Sequence, residues 1–304
     1  MKESRRIWMD GRLVPFQDAK VHVLTHALHY STAVFDGIRY YNTREGPAIF
    51  RLEDHVERLF RSAKICSMKI RHTRRQVRDA IIDTVRACGL KEGYIRPLAY
   101  YGYGEMGLTP TRNKVALSIS CWPWKMGESK AGKFSGAKCT VSSWVRIDPR
   151  AQPIQAKVAA NYSSAALARI EASENGYDEA IILNTDGRVA EGCVENIFVC
   201  RDGSILTPPL STGCLDGITR DSVMRIAEAD GMDVAEYDLY RDDLYVADEV
   251  FMTGTVAEIR SVTQVDRARI GTGRMGRITK GLQKSFANVV AGRDSRFGQW
   301  LTVI

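Results

Sequence analysis

The chain has 304 residues, 44% hydrophobic and 26% charged, with a net charge of +7. That is long enough for two ordinary domains with a substantial core, and the balance is that of a globular protein rather than a disordered one. The positive charge suits either nucleic acid or small anions such as phosphates and carboxylates. Seven widely spaced cysteines without a C-x-x-C indicate neither a disulfide framework nor a zinc site, and fit the reduced thiols of a cytoplasmic protein. Residues 1–13 lack the apolar core of a signal peptide, and no run approaches the length of a membrane span.

Residues 7–14 read as two short strands about an Asp10-Gly11 turn. His22, His26 and His29 follow at helical spacing, but no acid or cysteine completes a ligand set, and no metal is expected. Residues 33–41 alternate like one strand, 42–46 turn, and 48–51 pair back. The pattern then turns helical over 52–66, with Leu52, Val56, Leu59, Phe60 and Ala63 on one stripe and Arg58 at its border, where spacing alone makes it a surface arginine. Thr73-x-x-Gln76 is a capping box for a second helix that stops at Gly89. Residues 94–101 and 115–121 read as strands. The glycine-rich loop between them, 102–108, lacks the G-x-x-x-x-G-K-[ST] pattern of a nucleotide phosphate loop. The basic run 64–78 lacks interleaved aromatics and reads as solvated helix surface, so nucleic acid is not the expected partner.

Residues 123–136, rich in glycine and lysine, read as a linker between a smaller domain, 1–122, and a larger one, 137–304. In the second half, 139–145 reads as a strand, and Lys157 stands in Gln155-Ala156-Lys157-Val158-Ala159-Ala160-Asn161-Tyr162 without an acid beside it. Small neighbours desolvate such an amine and make it nucleophilic. A lysine in a small-residue run also reads as part of a surface helix. A helix over 162–172 follows, then a meander of strands over 179–183, 188–191 and 196–200 that carries Glu191, Glu195 and Asn196. A Schiff-base lysine plus an acid able to face a pyridinium nitrogen is the minimum equipment of a pyridoxal-phosphate enzyme. Gly217 precedes Thr219 at the start of a helix, an arrangement that is either an ordinary cap or an anion-binding helix end. Residues 250–259 read as a strand broken at Thr253-Gly254-Thr255, and a helix over 274–291 closes the chain.

Several of these pieces occur together in one known order. They are His26-Ala27-Leu28-His29-Tyr30, Val34-Phe35-Asp36-Gly37-Ile38-Arg39, His55-x-x-Arg58-Leu59 with Ser62-Ala63-Lys64, Tyr94-Ile95-Arg96-Pro97, Ala156-Lys157 with Asn161-Tyr162, Glu191-Gly192 with Glu195-Asn196, Gly217-Ile218-Thr219-Arg220, and Thr253-Gly254-Thr255-Val256-Ala257-Glu258. Over nearly its whole length the chain resembles the branched-chain amino-acid aminotransferases, within the fold-type-IV pyridoxal-phosphate enzymes. The resemblance implies a two-domain α+β or α/β fold of the D-amino-acid-aminotransferase type. Its smaller N-terminal domain would be α/β and its larger C-terminal domain would have a barrel-like β core.

It also implies pyridoxal 5′-phosphate bound to Lys157 and the transaminase activity of the family, moving amino groups between leucine, isoleucine or valine and 2-oxoglutarate by a ping-pong mechanism. Glu191 would face the ring nitrogen, Tyr162 the phenolic oxygen, and Arg58, Ile218, Thr219 and Thr255 the phosphate. Substrate would meet Tyr30, Phe35, Arg39, Tyr94, Arg96, Trp124, Thr255 and Val256, with Tyr30 supplied across a dimer interface. A homodimer, or a hexamer built of dimers, is the implied assembly. D-amino-acid transaminases, R-selective amine transaminases and aminodeoxychorismate lyases share the lysine and glutamate and are alternatives on the same fold. Asp36 stands where the family commonly carries glutamate, Ser31 where it carries glycine, and no family aromatic can be placed over 125–128.

Overall fold

The computed structural model describes residues 5–124 and 136–304. Most of the expected linker, and the departures at 125–128, lie outside the described residues. The chain divides into two compact units. Among the described residues, the first comprises 5–124, 156–160 and 289–304; the second comprises 136–155 and 161–288. Residues 156–160 and 289–304, placed in the C-terminal domain by the sequence reading, therefore belong with the N-terminal unit.

The first unit begins with the hairpin β1 (Arg6–Met9) and β2 (Arg12–Pro15), then α1 (His26–Tyr30), β3 (Ala33–Phe35), β4 (Ile38–Thr43) and β5 (Gly46–Phe50). Two helices follow, α2 (Leu52–Ile65) and α3 (Arg74–Cys88), then the long hairpin β6 (Gly93–Tyr101) and β7 (Val115–Trp122). The expected single strand over 33–41 is two strands, because the chain breaks at Asp36-Gly37: Asp36 is fully buried and its Oδ1 accepts the Gly37 N–H at 2.7 Å. The capping box on α3 is present, with Thr73 Oγ1 accepting from Gln76 N and Gln76 Oε1 accepting from Thr73 N.

The apolar stripes of α2 (Leu52, Val56, Leu59) and α3 (Val77, Ile81, Val85) share one core with Val34, Ile38, Ile95, Leu117 and Ile119 of the sheet. An alternating burial pattern along β7 fits a strand with one face inward. Truncating a residue as enclosed as Leu59 to alanine would cost about 2–5 kcal/mol.

The second unit runs through β8 (Ala137–Val141), α4 (Tyr162–Glu174), β9 (Glu179–Leu183), β10 (Val189–Gly192), β11 (Asn196–Arg201), β12 (Ser204–Thr207), α5 (Ile218–Ala229), β13 (Val234–Glu236), α6 (Arg241–Tyr245), β14 (Glu249–Gly254), β15 (Glu258–Val265) and β16 (Ala268–Arg269). Its nine strands form one sheet in the order β10-β9-β8-β15-β14-β11-β12-β13, with β16 beside β15: an open, curled half-barrel. The expected meander is interrupted, since β11 pairs with β14 and β12 rather than with β10. The broken strand over 250–259 is instead the hairpin β14–β15, with residues 255–257 as its turn. The α4 helix lays Ala165, Ala168 and Ala172 against Ala180 and Ile182; alanines at this spacing allow close approach of helix and sheet. After α7 (Arg277–Val290) the chain does not stop as expected. It adds β17 (Leu301–Val303), which pairs antiparallel with β5 and completes the eight-stranded sheet of the first unit.

Candidate active site

Lys157 lies in no helix. Its neighbour Val158 forms an isolated antiparallel bridge with Val34, its carbonyl accepts the Phe35 N–H at 3.1 Å, and its own N–H donates to Ser62 Oγ at 2.9 Å. Ala156 and Val158 are buried on either side of it. The backbone of the lysine is thus pinned between the end of β3 and a serine of α2, while its Nζ stands 5.2 Å from the centroid of the Phe35 ring. Ala156, Lys157 and Val158 lie outside any helix, and a single 3-10 turn, Ala159–Asn161, begins only after them.

Arg58 is not at the surface: it is buried with 5% of its area exposed, facing Asp36. Arg58 Nε donates to Asp36 Oδ2 at 2.8 Å and Nη2 to Oδ1 at 2.7 Å, a side-on fork. His55 Nδ1 lies 2.8 Å from the same Oδ1. Burial opposes the charge on Asp36, but the guanidinium of Arg58 and then the ring of His55 outweigh it and hold the carboxyl far below the usual range. Burial also lowers His55 more than Asp36 raises it, with Arg58 and Arg51 adding to the lowering; an ionised carboxylate can only accept, so His55 Nδ1–H is the donor of this contact.

The remaining predicted residues of the first unit gather around Phe35. The guanidinium of Arg96 lies 4.5 Å over the Phe35 ring, and its Nη2 donates to the Tyr94 hydroxyl at 3.0 Å. Tyr94 packs between Trp122 and Trp124, with ring centroids at 4.9 and 5.7 Å. Its hydroxyl occupies the space where a Cβ on Gly37 would stand, so glycine at 37 is a condition of that placement. Arg39 is directly opposite Tyr94 in the β4–β6 register and lies 4.8 Å over Tyr41, on the face that both share. Tyr30 stands apart from this group. It is 43% exposed, with its hydroxyl donating to Met106 O at 3.3 Å. The histidines near it are engaged in hydrogen bonds: His26 with Thr32 Oγ1 and Gly107 O, and His29 with Val23 O. Among the described residues no metal-ligating cluster is found.

In the second unit Glu191 is buried between two donors, with Arg146 Nη2 at 3.1 Å and Leu215 N at 2.9 Å. Arg146 is fixed in turn by donating from Nε to Gly213 O at 3.0 Å. Asn196 Nδ2 donates to Leu215 O at 2.8 Å, and a Cβ on Gly217 would overlap Asn196 Oδ1. One short chain of contacts therefore joins Glu191 to the start of α5, where Gly217, not Thr219, is the cap residue and supplies no side-chain cap. The N–H groups of Ile218 and Thr219 lie in the first turn, at the positive end of the helix. Thr255 and Val256 are half-buried in the β14–β15 turn, and Tyr162 is half-buried at the first position of α4. Glu195 is buried against Gly192 and Gly254. Burial pushes its carboxyl up, against the pull of Arg169, the Val194 N–H and Arg260, and with a further push from Glu191.

Sequence reasoning gave no role to Ser62, His55, Asp36 or Arg146. The first three stand inside quoted motifs, whereas Arg146, in the irregular segment after β8, has no sequence signal, because its partner is 45 residues away on β10.

The donor set can be tested against pyridoxal phosphate. The group needs an amine for its aldehyde, cationic and N–H donors for its phosphate, and a carboxylate for its ring nitrogen. Lys157 supplies the first. A pre-oriented arginine and a helix start capped by a glycine that has no room for a side chain supply the second. Glu191, held by an arginine and a backbone N–H, supplies the third. Taken separately, each unit carries donors whose chemistry suits the group: the amine and the arginine in the first, the carboxylate and the helix start in the second.

A sequence model of the family described as amino-transferase class IV matches residues 33–265. The chain belongs to this class of aminotransferases. Its relatives within the class carry a narrower name. The branched-chain-amino-acid aminotransferase of Pseudomonas aeruginosa is 42% identical over 298 residues, covering 98% of this chain and 97% of that protein. The Escherichia coli K12 protein of the same name is 40% identical, covering 99% and 97%. The crystal structure of the T.th. branched-chain amino acid aminotransferase with pyridoxamine 5′-phosphate superposes with a TM-score of 0.97 at 43% identity, covering 100% of this chain and 99% of that one. The structure of the same T.th. enzyme complexed with N-(5′-phosphopyridoxyl)-L-glutamate gives a TM-score of 0.96.

Proposed function

We propose that this protein is a pyridoxal-phosphate-dependent branched-chain amino-acid transaminase, exchanging amino groups between leucine, isoleucine or valine and 2-oxoglutarate by a ping-pong mechanism. The observation that carries the reading is Lys157, held by both of its backbone groups in an irregular segment with its amine beside Phe35. When bound, pyridoxal phosphate supplies an aldehyde that exchanges with the amine and a ring that takes up the electron pair of the substrate Cα–H bond. Lys157 would hold the cofactor through its amine and would serve as the general base for the proton at the substrate Cα. Glu191 would face the ring nitrogen, and Tyr162 would hydrogen-bond the phenolic oxygen. Arg58, the Ile218 and Thr219 N–H groups and Thr255 hold the phosphate.

On the substrate side, Tyr94 and the Thr255–Val256 amides receive the α-carboxylate, and Phe35 and Trp124 wall an apolar side-chain pocket. Arg96 lies at its rim with Arg39 beside it, where Tyr30 of a second copy would join them, and the guanidinium over the Phe35 ring lets one pocket receive either an aliphatic chain or the second carboxylate of glutamate. The exposed Tyr30 beside exposed Leu24 and Leu28 supports a homodimer, alone or as the unit of a hexamer. No helix among the described residues is long and apolar enough to cross a membrane, and the seven cysteines are all free, which supports a cytoplasmic location. We take the two compact units as the family's smaller and larger domains.

Lys157→Ala is the direct test. The variant is expected to lose turnover and the visible absorbance of the lysine-bound cofactor; wild-type turnover in that variant would refute the assignment. A panel of L-leucine, D-alanine, R-1-phenylethylamine and aminodeoxychorismate then checks specificity, with L-leucine expected to be the good substrate. Gel filtration and light scattering check the assembly.

A further inference from the structure

Arg58 shares one face of α2 with His55 and Ser62, since positions 55, 58 and 62 recur at helical spacing. Ser62 holds the backbone of Lys157, and Phe35, bonded to the Lys157 carbonyl, is followed directly by Asp36. Asp36 has no exposed area, and its two oxygens take four donors: Arg58 Nε, Arg58 Nη2, His55 Nδ1 and the Gly37 N–H, at 2.7–2.8 Å. Three of the four converge on Oδ1 and one on Oδ2, so both oxygens are engaged by donors. Because the fork engages the Nε–Nη2 edge side-on, it fixes both the plane of the guanidinium and the direction of Nη1. A long, flexible side chain is thereby ordered before any ligand arrives, and its ordering entropy is not charged to binding.

We propose that Asp36 is a positioning residue: braced by His55, it presets Arg58 for the cofactor phosphate. The inference rests on the assignment of Arg58 to that phosphate. An acid that merely neutralises a buried arginine would stabilise the fold equally for every ligand. An acid that aims the arginine matters only to ligands that carry the phosphate.

The experiment titrates the full-length protein, stripped of cofactor, with pyridoxal 5′-phosphate and separately with pyridoxal. Asp36→Asn is expected to weaken pyridoxal phosphate by about tenfold or more, the size of one charge-assisted hydrogen bond, and to leave pyridoxal within about twofold. Arg58→Met is expected to show the same pattern, and Asp36→Asn/Arg58→Met to bind pyridoxal phosphate no more weakly than Arg58→Met alone. The double variant contains neither buried charge, so it is expected to fold even where Asp36→Asn leaves the arginine unpaired and does not; its comparison with Arg58→Met then decides. Equal weakening of both ligands by Asp36→Asn, an unchanged affinity for pyridoxal phosphate, or a further tenfold loss in the double variant overturns the positioning role. Wild-type affinity in Arg58→Met overturns the phosphate assignment and, with it, the inference.

Discussion

Replacing Gly37 with alanine forces a collision whose size can be worked from the structure. The new Cβ would overlap the Tyr94 hydroxyl and stand 2.9 Å from Cζ; the hydroxyl is the deeper overlap, and it must retreat by about 1 Å or more to reach ordinary contact. It has little room to do so. Tyr94 is buried, flanked by Trp122 and Trp124, and receives a hydrogen bond from Arg96. Overpacking of this kind costs about 1–3 kcal/mol, and loss of the Arg96 bond adds about 1 kcal/mol. If the displaced hydroxyl also fails to meet the substrate carboxylate, a hydrogen bond to a charged group is lost. That corresponds to about a ten- to hundredfold fall in kcat/KM for L-leucine. Urea denaturation and steady-state kinetics read the two effects. Affinity for pyridoxal phosphate is expected to stay within about twofold, because the Gly37 backbone and the Arg58 clamp are unaltered. Tyr94→Phe should share the kinetic loss without most of the strain. An alanine variant with wild-type stability and wild-type kcat/KM would refute the reasoning.

Glu191→Gln leaves Arg146 buried without its carboxylate and is expected to destabilise the protein by about 3 kcal/mol, since Arg146 keeps its bond to Gly213 O; the urea midpoint reads it. Glu195 has a raised carboxyl, so the folded state binds more protons than the unfolded state above the unfolded pKa, and its contribution to stability declines as pH rises from about 4.3. Glu195→Gln is therefore expected to gain stability over wild type at pH 7–8, with the difference vanishing toward pH 4. Asp36 is lowered, so its contribution is present at neutral pH and is lost as pH falls below about 4 toward the folded value. The folded double variant Asp36→Asn/Arg58→Met should accordingly show a shallower acid slope than wild type in pH-dependent denaturation. Thr73→Ala removes one half of the α3 capping box and should cost about 1 kcal/mol.

The sequence was most legible where structure is local. The Thr73–Gln76 box, the Asp10-Gly11 hairpin and the stripe of α2 depend on residues within one or two turns, and they stand as read. The misreadings are non-local. Arg58 borders the apolar stripe of its helix and so looks exposed, because nothing in α2 shows the buried carboxylate 22 residues earlier. The Ala-Lys-Val run has the composition of a helix, yet a bridge to Val34 and bonds to Ser62 and Phe35 draw it out into an irregular strap. The meander over 179–200 breaks because the edge of β11 is taken by β14, some fifty residues on. Lys157, Phe35, Tyr94 and Arg96 could be named from their motifs. That Gly37 makes room for Tyr94 could not, since a glycine in an alternating segment reads equally as a turn, a bulge or a close approach.

The same distinction resolves the net charge of +7. The basic run over 64–78 has the composition of a nucleic-acid contact, but Arg74 is bonded to Glu57 and Arg78 to Glu53, so acids of α2 take up arginines of α3. A helix pair of mixed sign gives little of the uniform field that a phosphate backbone requires. Other arginines are inside: Arg58, Arg146 and Arg220 are buried, with Asp36, Glu191 and Glu236 as partners. A buried arginine held on one edge by a carboxylate keeps a set direction for its remaining donors. It can therefore select a small oxyanion by geometry where a solvated lysine offers only charge. The positive charge of this chain is in part a set of fixed directions, and fixed directions are what a phosphorylated cofactor and a dicarboxylate substrate can use.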